Sequence, residues 1–440
     1  MAFREQWQSE LGFVFAAAGS AVGLGNLWGF AYRASQGGGV AFLFLYLVIV
    51  ISVCLPVLVA EMILGRSTGK SPLIAPIAAA GRKWQPMGWL FVIASIGILA
   101  FYAVLMGWTG HTLIHSILFG LPANMNEAEK FFAEVSSGNS VLLGQLLSLI
   151  LTALVVSAGI QGGIEKLTRW CIPLLFIILL SLAFWASSLS GAWEGYRSFL
   201  LRWDINQLLN PTTIRNAFTQ AFFSIGTGIG CILAYSAYLN KKNKLPKEAV
   251  SVIAMDTSVG LLAGMITFPI VISFGLKDAI SSSTVGALFI SIPTGLGSLG
   301  STGRIVSIMF FGLAYIAAIT SSISLLEVPV SSLIDRLGWR RSKAVWISTG
   351  FIFIAGIPSA MNINVLGKMD AIFGGILLIF GGLLLSLLLG WFLPNLFDED
   401  LKGNNTPIRI RYLLKFMLRW ISPPFIAFGL IVSIFDLIKN

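Results

Sequence analysis

Long apolar runs recur along this sequence, and they constrain its fold more than any other feature. A helix needs roughly 17 to 25 apolar residues to cross the hydrocarbon layer of a membrane. Only 11% of the residues are charged, whereas about a quarter are charged in soluble domains. We therefore predict an all-α polytopic membrane protein, a single transmembrane domain over residues 1–440. Its eleven predicted spans are 11–33, 40–64, 86–118, 141–159, 168–190, 211–238, 247–275, 304–334, 343–360, 367–394 and 411–437.

The positive charges that make up the net charge of +10 are distributed unevenly. Most Lys and Arg residues fall in alternate loops, around 66–83, 166–169, 241–247, 336–343 and 402–419. Loops rich in Lys and Arg stay on the cytoplasmic side of a membrane. The pattern predicts a multi-pass protein of the inner (plasma) membrane with a cytoplasmic N-terminus and an extracellular C-terminus. Because the membrane topology explains the excess of Lys and Arg residues, no nucleic-acid partner is expected.

Glycine-rich stretches interrupt the first and sixth spans, as GSAVGLG at 19–25 and SIGTGIG at 224–230. Irregular backbone survives at membrane depth only where it is buried in protein or lines a wet cavity. Spans five apart start on opposite sides, so 10–190 and 208–394 are predicted as two five-helix repeats of inverted topology. Residues 407–437 then form an additional eleventh helix. Matched breaks in two such halves indicate a transporter's binding site, and close helix packing is the alternative explanation for the glycines.

The residues near the breaks have the chemistry of a sodium site. Unwound helices expose carbonyl oxygens that bind sodium, and Asn26, Ser224 and Asp256 can add side-chain oxygens. An ionised carboxylate in an apolar span costs about 2.5 to 3.5 kcal/mol on insertion scales, so a cationic partner is expected. The alternative is that Asp256 lies near the interface and extends to water. The eighth span adds hydroxyls that either bind a ligand or bond their own helix, at Thr320, Ser321, Ser322 and Ser324.

Four motifs occur in an order and spacing typical of one family: AVGLGNLW, GGIEKLTRWCIP, QAFFSIGTGIG and AITSSIS. Through them the chain resembles the neurotransmitter:sodium symporter family, from REQW at 4–7 to the eleventh span. The resemblance implies the LeuT-type fold, with two inverted five-helix repeats and discontinuous helices 1 and 6. It also implies a sodium-coupled symporter that imports a neutral hydrophobic L-amino acid by alternating access. A substrate-gated channel or a non-transporting amino-acid sensor on the same scaffold is the alternative.

The resemblance further implies two sodium sites and a substrate site around the breaks. Sodium 1 is expected at Ala21, Asn26, Ser224 and Asp256. Sodium 2 is expected at Gly19, Val22, Ala317, Thr320 and Ser321. The substrate site is expected to include Ala21, Gly23, Gly25, Ile98, Tyr102, Phe223, Ser224, Gly226, Ile229, Ser321 and Leu325. Because these walls are apolar and uncharged, the implied substrate is a neutral hydrophobic or aromatic L-amino acid, with room for a bulky one at Gly226.

The gate residues match the family's pattern unevenly. On the cytoplasmic side the match covers Arg4, Trp7, Tyr238 and Asp335.

On the outer side Asp370 matches the family's acidic gate, but Gly29 and Ala31 stand where the family has arginine and proline. Arg33 lies one helical turn beyond Gly29 on the same face. It either takes over the role of the missing arginine toward Asp370 or anchors the helix at the membrane interface.

Helix 5 resembles the family's segment that unwinds to admit water, because Gly163 and Pro173 bracket nine residues there. Proline removes a helix hydrogen bond and glycine loosens the turn, so local opening is easy. A static kink is the alternative.

Chloride is not expected to be required. Chloride-requiring relatives lack an acid in this part of helix 7, whereas Asp256 supplies a fixed negative charge near Tyr46 and Gln220. An enzyme is not expected either, because the two histidines, His111 and His115, have no HExxH glutamate between them. The expected assembly is a monomer or weak homodimer in the lipid bilayer.

Overall fold

The computed structural model describes residues 5–276, 285 and 287–439, and in these ranges it contains helices and no strand. For Trp28, Ala287 and residues 436–439 it describes the backbone alone. The membrane helices, in chain order, are α1 (α1a Glu10–Ala21 and α1b Gly25–Gln36), α2 Val40–Thr68, α3 Arg82–Leu118, α4 Asn139–Ser157, α5 Ile160–Ala186, α6 (α6a Pro211–Ile225 and α6b Cys231–Ser236), α7 Leu245–Ser273, α8 Gly300–Leu337, α9 Arg341–Met361, α10 Ile363–Phe392 and α11 Ile408–Phe435.

The eleven predicted spans all coincide with helical segments. Nine of the helices in the described ranges are single helices long and apolar enough to span a membrane. The other two are the predicted broken helices: α1a and α1b meet at 67°, and α6a and α6b are separated by residues 226–230. Shorter helices lie between the spans, at Ala75–Ala80, Met125–Val135, Ala192–Tyr196, Ile205–Leu208, Leu288–Gly297 and Pro394–Gly403.

The prediction for the start of helix 5 is wrong by eight residues, since α5 begins at Ile160 and the predicted span began at 168. Charged residues end the apolar run there, but Glu165 is buried and accepts a hydrogen bond from Arg169 at 3.0 Å. Because this charge is paired inside the protein, the helix continues through it.

The broken helices lie in the middle of the bundle. The segment α1a packs against α5, α7 and α8, α6b packs against α2, and α3 runs along α8. Large apolar side chains such as Phe184, which is 83% exposed, cover the outer surface of the bundle. Irregular backbone is therefore surrounded by protein, as the membrane environment requires.

The break in α1 results from rerouted hydrogen bonds. Val22 is extended, with φ −72° and ψ 109°. The Gly23 N–H donates to the Asn26 side-chain oxygen at 3.1 Å, and the Asn26 N–H donates to the Gly23 carbonyl at 3.1 Å. In a continuous helix these two N–H groups would have bonded the carbonyls of residues 19 and 22. The break therefore frees the carbonyl oxygens of Gly19 and Val22.

The break in α6 depends on three glycines and one buried acid. Gly226, Gly228 and Gly230 have φ values of 64°, 97° and 82°. Residues with a Cβ rarely adopt these backbone angles. Glu61 of α2 accepts hydrogen bonds from the N–H groups of Gly228 at 2.9 Å and Leu233 at 3.2 Å. The carboxylate thus replaces the carbonyl acceptors that the unwound turn lacks.

Candidate functional site

A buried carboxylate lies where α1, α2, α6 and α7 meet. Asp256 is fully buried and accepts hydrogen bonds from Asn26 at 2.6 Å and Ser224 at 2.7 Å. The Tyr46 hydroxyl donates at 3.3 Å to Asp256 Oδ2, the same oxygen that accepts from Ser224. The alternative that Asp256 extends to water at the interface is therefore wrong.

These hydrogen-bond partners of Asp256 are all neutral. Asn26 also donates to the Ser224 hydroxyl at 2.7 Å, so the side chains predicted for sodium 1 form one cluster. Among the described residues no basic side chain pairs with Asp256, and an uncompensated buried charge is strongly unfavourable. The carboxylate and hydroxyl oxygens fit a hard cation such as sodium, and the Asn26 side-chain oxygen, which here accepts from the Gly23 N–H, is a further oxygen ligand of the same kind.

The residues predicted for sodium 2 also lie together. The Ser321 hydroxyl reaches from α8 to the freed carbonyls of α1, at 2.9 Å from Val22 and 3.3 Å from Gly19. The Ala317 carbonyl accepts from the hydroxyls of Ser321 at 3.2 Å and Thr320 at 2.9 Å. Carbonyl and hydroxyl oxygens therefore converge from both helices.

The other two hydroxyls of the predicted run, Ser322 and Ser324, donate to carbonyls of their own helix, as one of the two alternatives predicted. Ser322 donates to the Ile319 carbonyl at 2.9 Å and Ser324 to the Ser321 carbonyl at 2.8 Å. Ser321 is therefore the member of the cluster that bonds the freed carbonyls of α1, while the Ser324 hydroxyl accepts from the Ser20 hydroxyl of α1 at 2.7 Å.

A cavity of about 50 Å³ lies between the two breaks. Ten of the eleven residues predicted for the substrate site line it. The exception is Ser224, whose hydroxyl donates to Asp256. The Tyr102 hydroxyl accepts a hydrogen bond from the Leu24 N–H at 3.2 Å, which fixes α3 against the break. No charged side chain is found among the described residues that line this cavity.

Several lining residues were not among those predicted for the substrate site. Ser20 and Ser324 share a 2.7 Å hydrogen bond at the cavity wall. Ser324 was predicted only as one of the hydroxyls of the eighth span, and its helical spacing of three from Ser321 was the available signal for the cavity. Nothing in the sequence singled out Leu378. The full set of additional lining residues is Ser20, Leu24, Asn26, Cys231, Ser324 and Leu378.

Glycine at 226 has two separate effects. A Cβ built on Gly226 would meet nothing within 4 Å, so the cavity has free space beside it. Its φ of 64° also ends α6a in a left-handed turn. Glycine at this position therefore both allows the backbone of the break and leaves the space for a bulky substrate that the sequence suggested.

A second cavity of about 110 Å³ lies outside the first, and the side chains of Tyr102 and Phe223 line both. Arg33 and Asp370 line this outer cavity together. The Arg33 guanidinium donates to the Gln220 side-chain oxygen, and within the described contacts no ion pair joins it to Asp370. Arg33 therefore points into the protein, and the alternative of an anchor at the lipid interface is wrong.

The inner side of the site is closed by contacts between helix ends. Trp7 donates to the Tyr235 carbonyl at 2.9 Å, and Tyr238 donates to Glu327 at 2.9 Å. Asp335 accepts from the Ser71 N–H at 2.6 Å. Arg4, predicted as a partner in this network, lies outside the described residues.

An inner ion pair between Glu327 and Arg341 was missed by sequence reasoning. Glu327 is fully buried in α8, and both of its oxygens accept from the Arg341 guanidinium. Its presence in the apolar stretch SISLLEVPV was the available signal, of the same kind that pointed to Asp256.

Helix 5 is wound in this structure, and it is tied to the start of the chain. Ile160–Glu165 forms a π-helical turn, and Pro173 lies inside the α-helix that follows. The Gln8 N–H and the Ser9 hydroxyl donate to Glu165 at 2.9 Å and 3.1 Å. The opening of this segment stays a prediction.

Known proteins resemble this chain over its length. The model of the Sodium:neurotransmitter symporter family matches residues 4–134 and 127–440. An uncharacterized sodium-dependent transporter of Bacillus subtilis is 33% identical over 443 residues, covering 95% of each chain. Another from Methanocaldococcus jannaschii is 34% identical over 407 residues, covering 88% of this chain and 82% of that protein.

The fold also matches a solved structure. The crystal structure of MhsT in complex with L-phenylalanine superposes with a TM-score of 0.89 at 33% identity, covering 98% of this chain and 100% of that chain.

Proposed function

The chain belongs to the sodium:neurotransmitter symporter family, and from that premise we propose that it imports a neutral hydrophobic L-amino acid together with sodium by alternating access. Its family and fold are those of transporters. The observation that carries the proposal is the buried carboxylate of Asp256, whose described hydrogen-bond partners are all neutral. A cation arriving with the substrate supplies the missing charge.

Two sodium ions are proposed, one at the Asp256 cluster and one at the Ser321 cluster. Each ion entering down 100 mV releases about 2.3 kcal/mol, so two release about 4.6 kcal/mol. Since about 1.4 kcal/mol is a factor of ten, this drives accumulation of more than a thousandfold.

The substrate class is argued from the walls of the inner cavity. Ile98, Ile229 and Leu325 are apolar, and no charged group lines the cavity in the described part of the chain. The freed backbone of α1 and the Tyr102 hydroxyl suit the amino-acid carboxylate and ammonium groups. MhsT, which has the same fold, was solved with L-phenylalanine, and this supports an aromatic or large aliphatic substrate.

Chloride independence is proposed from the same cluster. The hydroxyls of Tyr46 and Ser224 both donate to Asp256, so a fixed carboxylate occupies the place where a bound anion would otherwise supply the charge. We also propose the orientation given by the cation-rich loops, with the N-terminus cytoplasmic and the C-terminus extracellular in the plasma membrane. The assembly proposed is a monomer or weak homodimer.

Uptake into proteoliposomes tests the proposal. Radiolabelled amino acids should accumulate above the outside concentration only with an inward sodium gradient, and the neutral hydrophobic members of a panel of twenty should compete. Replacing chloride by gluconate should leave uptake unchanged. Binding without concentrative uptake would contradict a symporter and favour a sensor or channel.

A further inference from the structure

A groove on the outer surface of the bundle is unlike the two cavities of the site. Trp89 and Ile93 of α3 are 40% and 49% exposed along it, and its volume is about 730 Å³. We call it the α3 groove, lined by Arg82, Lys83, Gln85, Pro86, Trp89, Leu90, Ile93 and Leu377.

The α3 groove is cationic at one end and apolar at the other. Arg82 and Lys83 are exposed at the start of α3, and no carboxylate partner for either occurs in the described ranges. Ile93 lies ten residues beyond Lys83, or about 15 Å along a helix axis. The lining residues include no acidic side chain.

Aromatic rings contact the cations at this end of the groove, and one of these cations, Arg336, is additional to Arg82 and Lys83. The Arg336 guanidinium lies 5.2 Å from the ring of Trp89, and the Lys83 ammonium lies 5.7 Å from the ring of Phe392. The Trp84 and Phe392 rings are 5.2 Å apart. Tryptophan and cationic side chains at one depth are typical of the headgroup region of a membrane.

We propose that the α3 groove binds an anionic phospholipid, with its phosphate at Arg82 and Lys83 and an acyl chain along Trp89, Ile93 and Leu377. The cationic end lies on the side that we propose as cytoplasmic, where anionic lipids attract basic residues. A free phosphate would leave the exposed apolar end of the groove uncovered, so the lipid is the occupant that matches both ends. Leu377 faces the groove while its neighbour Leu378 lines the inner cavity, so the lipid lies directly behind the site.

Thermal unfolding of the purified full-length protein in micelles tests the proposal. Phosphatidylglycerol should raise the Tm more than phosphatidylcholine with the same acyl chains. The variant Arg82→Gln/Lys83→Gln should lose at least half of that difference. The matched control Lys242→Gln/Lys244→Gln removes two exposed charges from the same side, outside the groove, and should keep it.

Two further arms separate the headgroup from the acyl chain. Trp89→Ala should reduce the retention of phosphatidylglycerol in native mass spectrometry, and glycerol 3-phosphate at the same concentration should not raise the Tm. A groove double variant that responds to phosphatidylglycerol as the control does would overturn the proposal. So would glycerol 3-phosphate matching the lipid, since the groove would then bind only a phosphate.

Discussion

The Ser321 hydroxyl donates to the carbonyl oxygen of Val22 at 2.9 Å, and this bond joins the middle of α8 to the break in α1. The carbonyl is free to accept because the Asn26 N–H donates to Gly23 instead. A single rerouted turn of α1 therefore creates acceptors for α8, while the Asn26 side chain binds Asp256 on the other side.

Removing the hydroxyl at 321 should weaken the site on the α8 side. We expect Ser321→Ala to raise the sodium concentration for half-maximal uptake about tenfold, since a lost hydrogen bond or ligand of about 1 to 1.5 kcal/mol corresponds to that factor. Ser332→Ala is the matched control, because within the described residues the Ser332 hydroxyl bonds only the Val328 carbonyl of its own helix, at 2.6 Å. An unchanged sodium dependence in Ser321→Ala would place sodium elsewhere.

Neutralising Asp256 should abolish the coupling of uptake to sodium without lowering the stability of the protein. We expect Asp256→Asn to abolish sodium-driven uptake and the rise in Tm that sodium produces. Without sodium, its Tm should equal or exceed that of the wild type, because the variant no longer buries an uncompensated carboxylate. A Tm that still rises with sodium in this variant would contradict the assignment.

Neutralising Glu327 should have the opposite effect on stability. Glu327 is paired with Arg341, so Glu327→Gln leaves a cation without its partner. We expect a loss of about 2 kcal/mol, less than for a fully buried pair because Arg341 retains some access to water. Thermal unfolding of Glu327→Gln and Asp256→Asn without sodium tests this difference. A shift of the Tm in the same direction for both variants would contradict it.

The outer cavity gives a prediction for Arg33. We expect Arg33→Ala to reduce uptake about tenfold, because it removes a charged donor to Gln220 and the positive charge that faces Asp370. Lys368→Ala removes an exposed cation near the same end of α10 and should leave uptake unchanged. Normal uptake by Arg33→Ala would show that no substitute for the missing gate arginine is needed.

Two adjacent glycines at the start of α5 should respond differently to alanine. A Cβ on Gly163 would lie 2.0 Å from the Val155 carbonyl, whereas one on Gly162 would meet nothing within 4 Å. We expect Gly163→Ala to cost about 1 to 3 kcal/mol and to slow uptake, since the α4–α5 turn must shift. Gly162→Ala should be neutral or stabilising by up to about 1 kcal/mol, and equal Tm values for the two would contradict this.

The elements that followed from the sequence are those governed by local rules. The eleven spans reflect the thickness of hydrocarbon, and the breaks at 19–25 and 224–230 reflect the cost of irregular backbone in lipid. Both are visible in a single window of residues. The start of α5 was missed because the buried carboxylate of Glu165 bonds not only the local Arg169 but also Gln8 and Ser9 at the beginning of the chain.

The sequence by itself determined that this chain spans a membrane many times and unwinds twice, because helix length and glycine content are local properties. The tertiary structure alone decided which oxygens the unwinding frees, that Asp256 has only neutral hydrogen-bond partners in the described part of the chain, and that Arg33 reaches Gln220. These contacts join residues up to about 300 positions apart. They depend on how whole helices pack, and no local pattern records that arrangement.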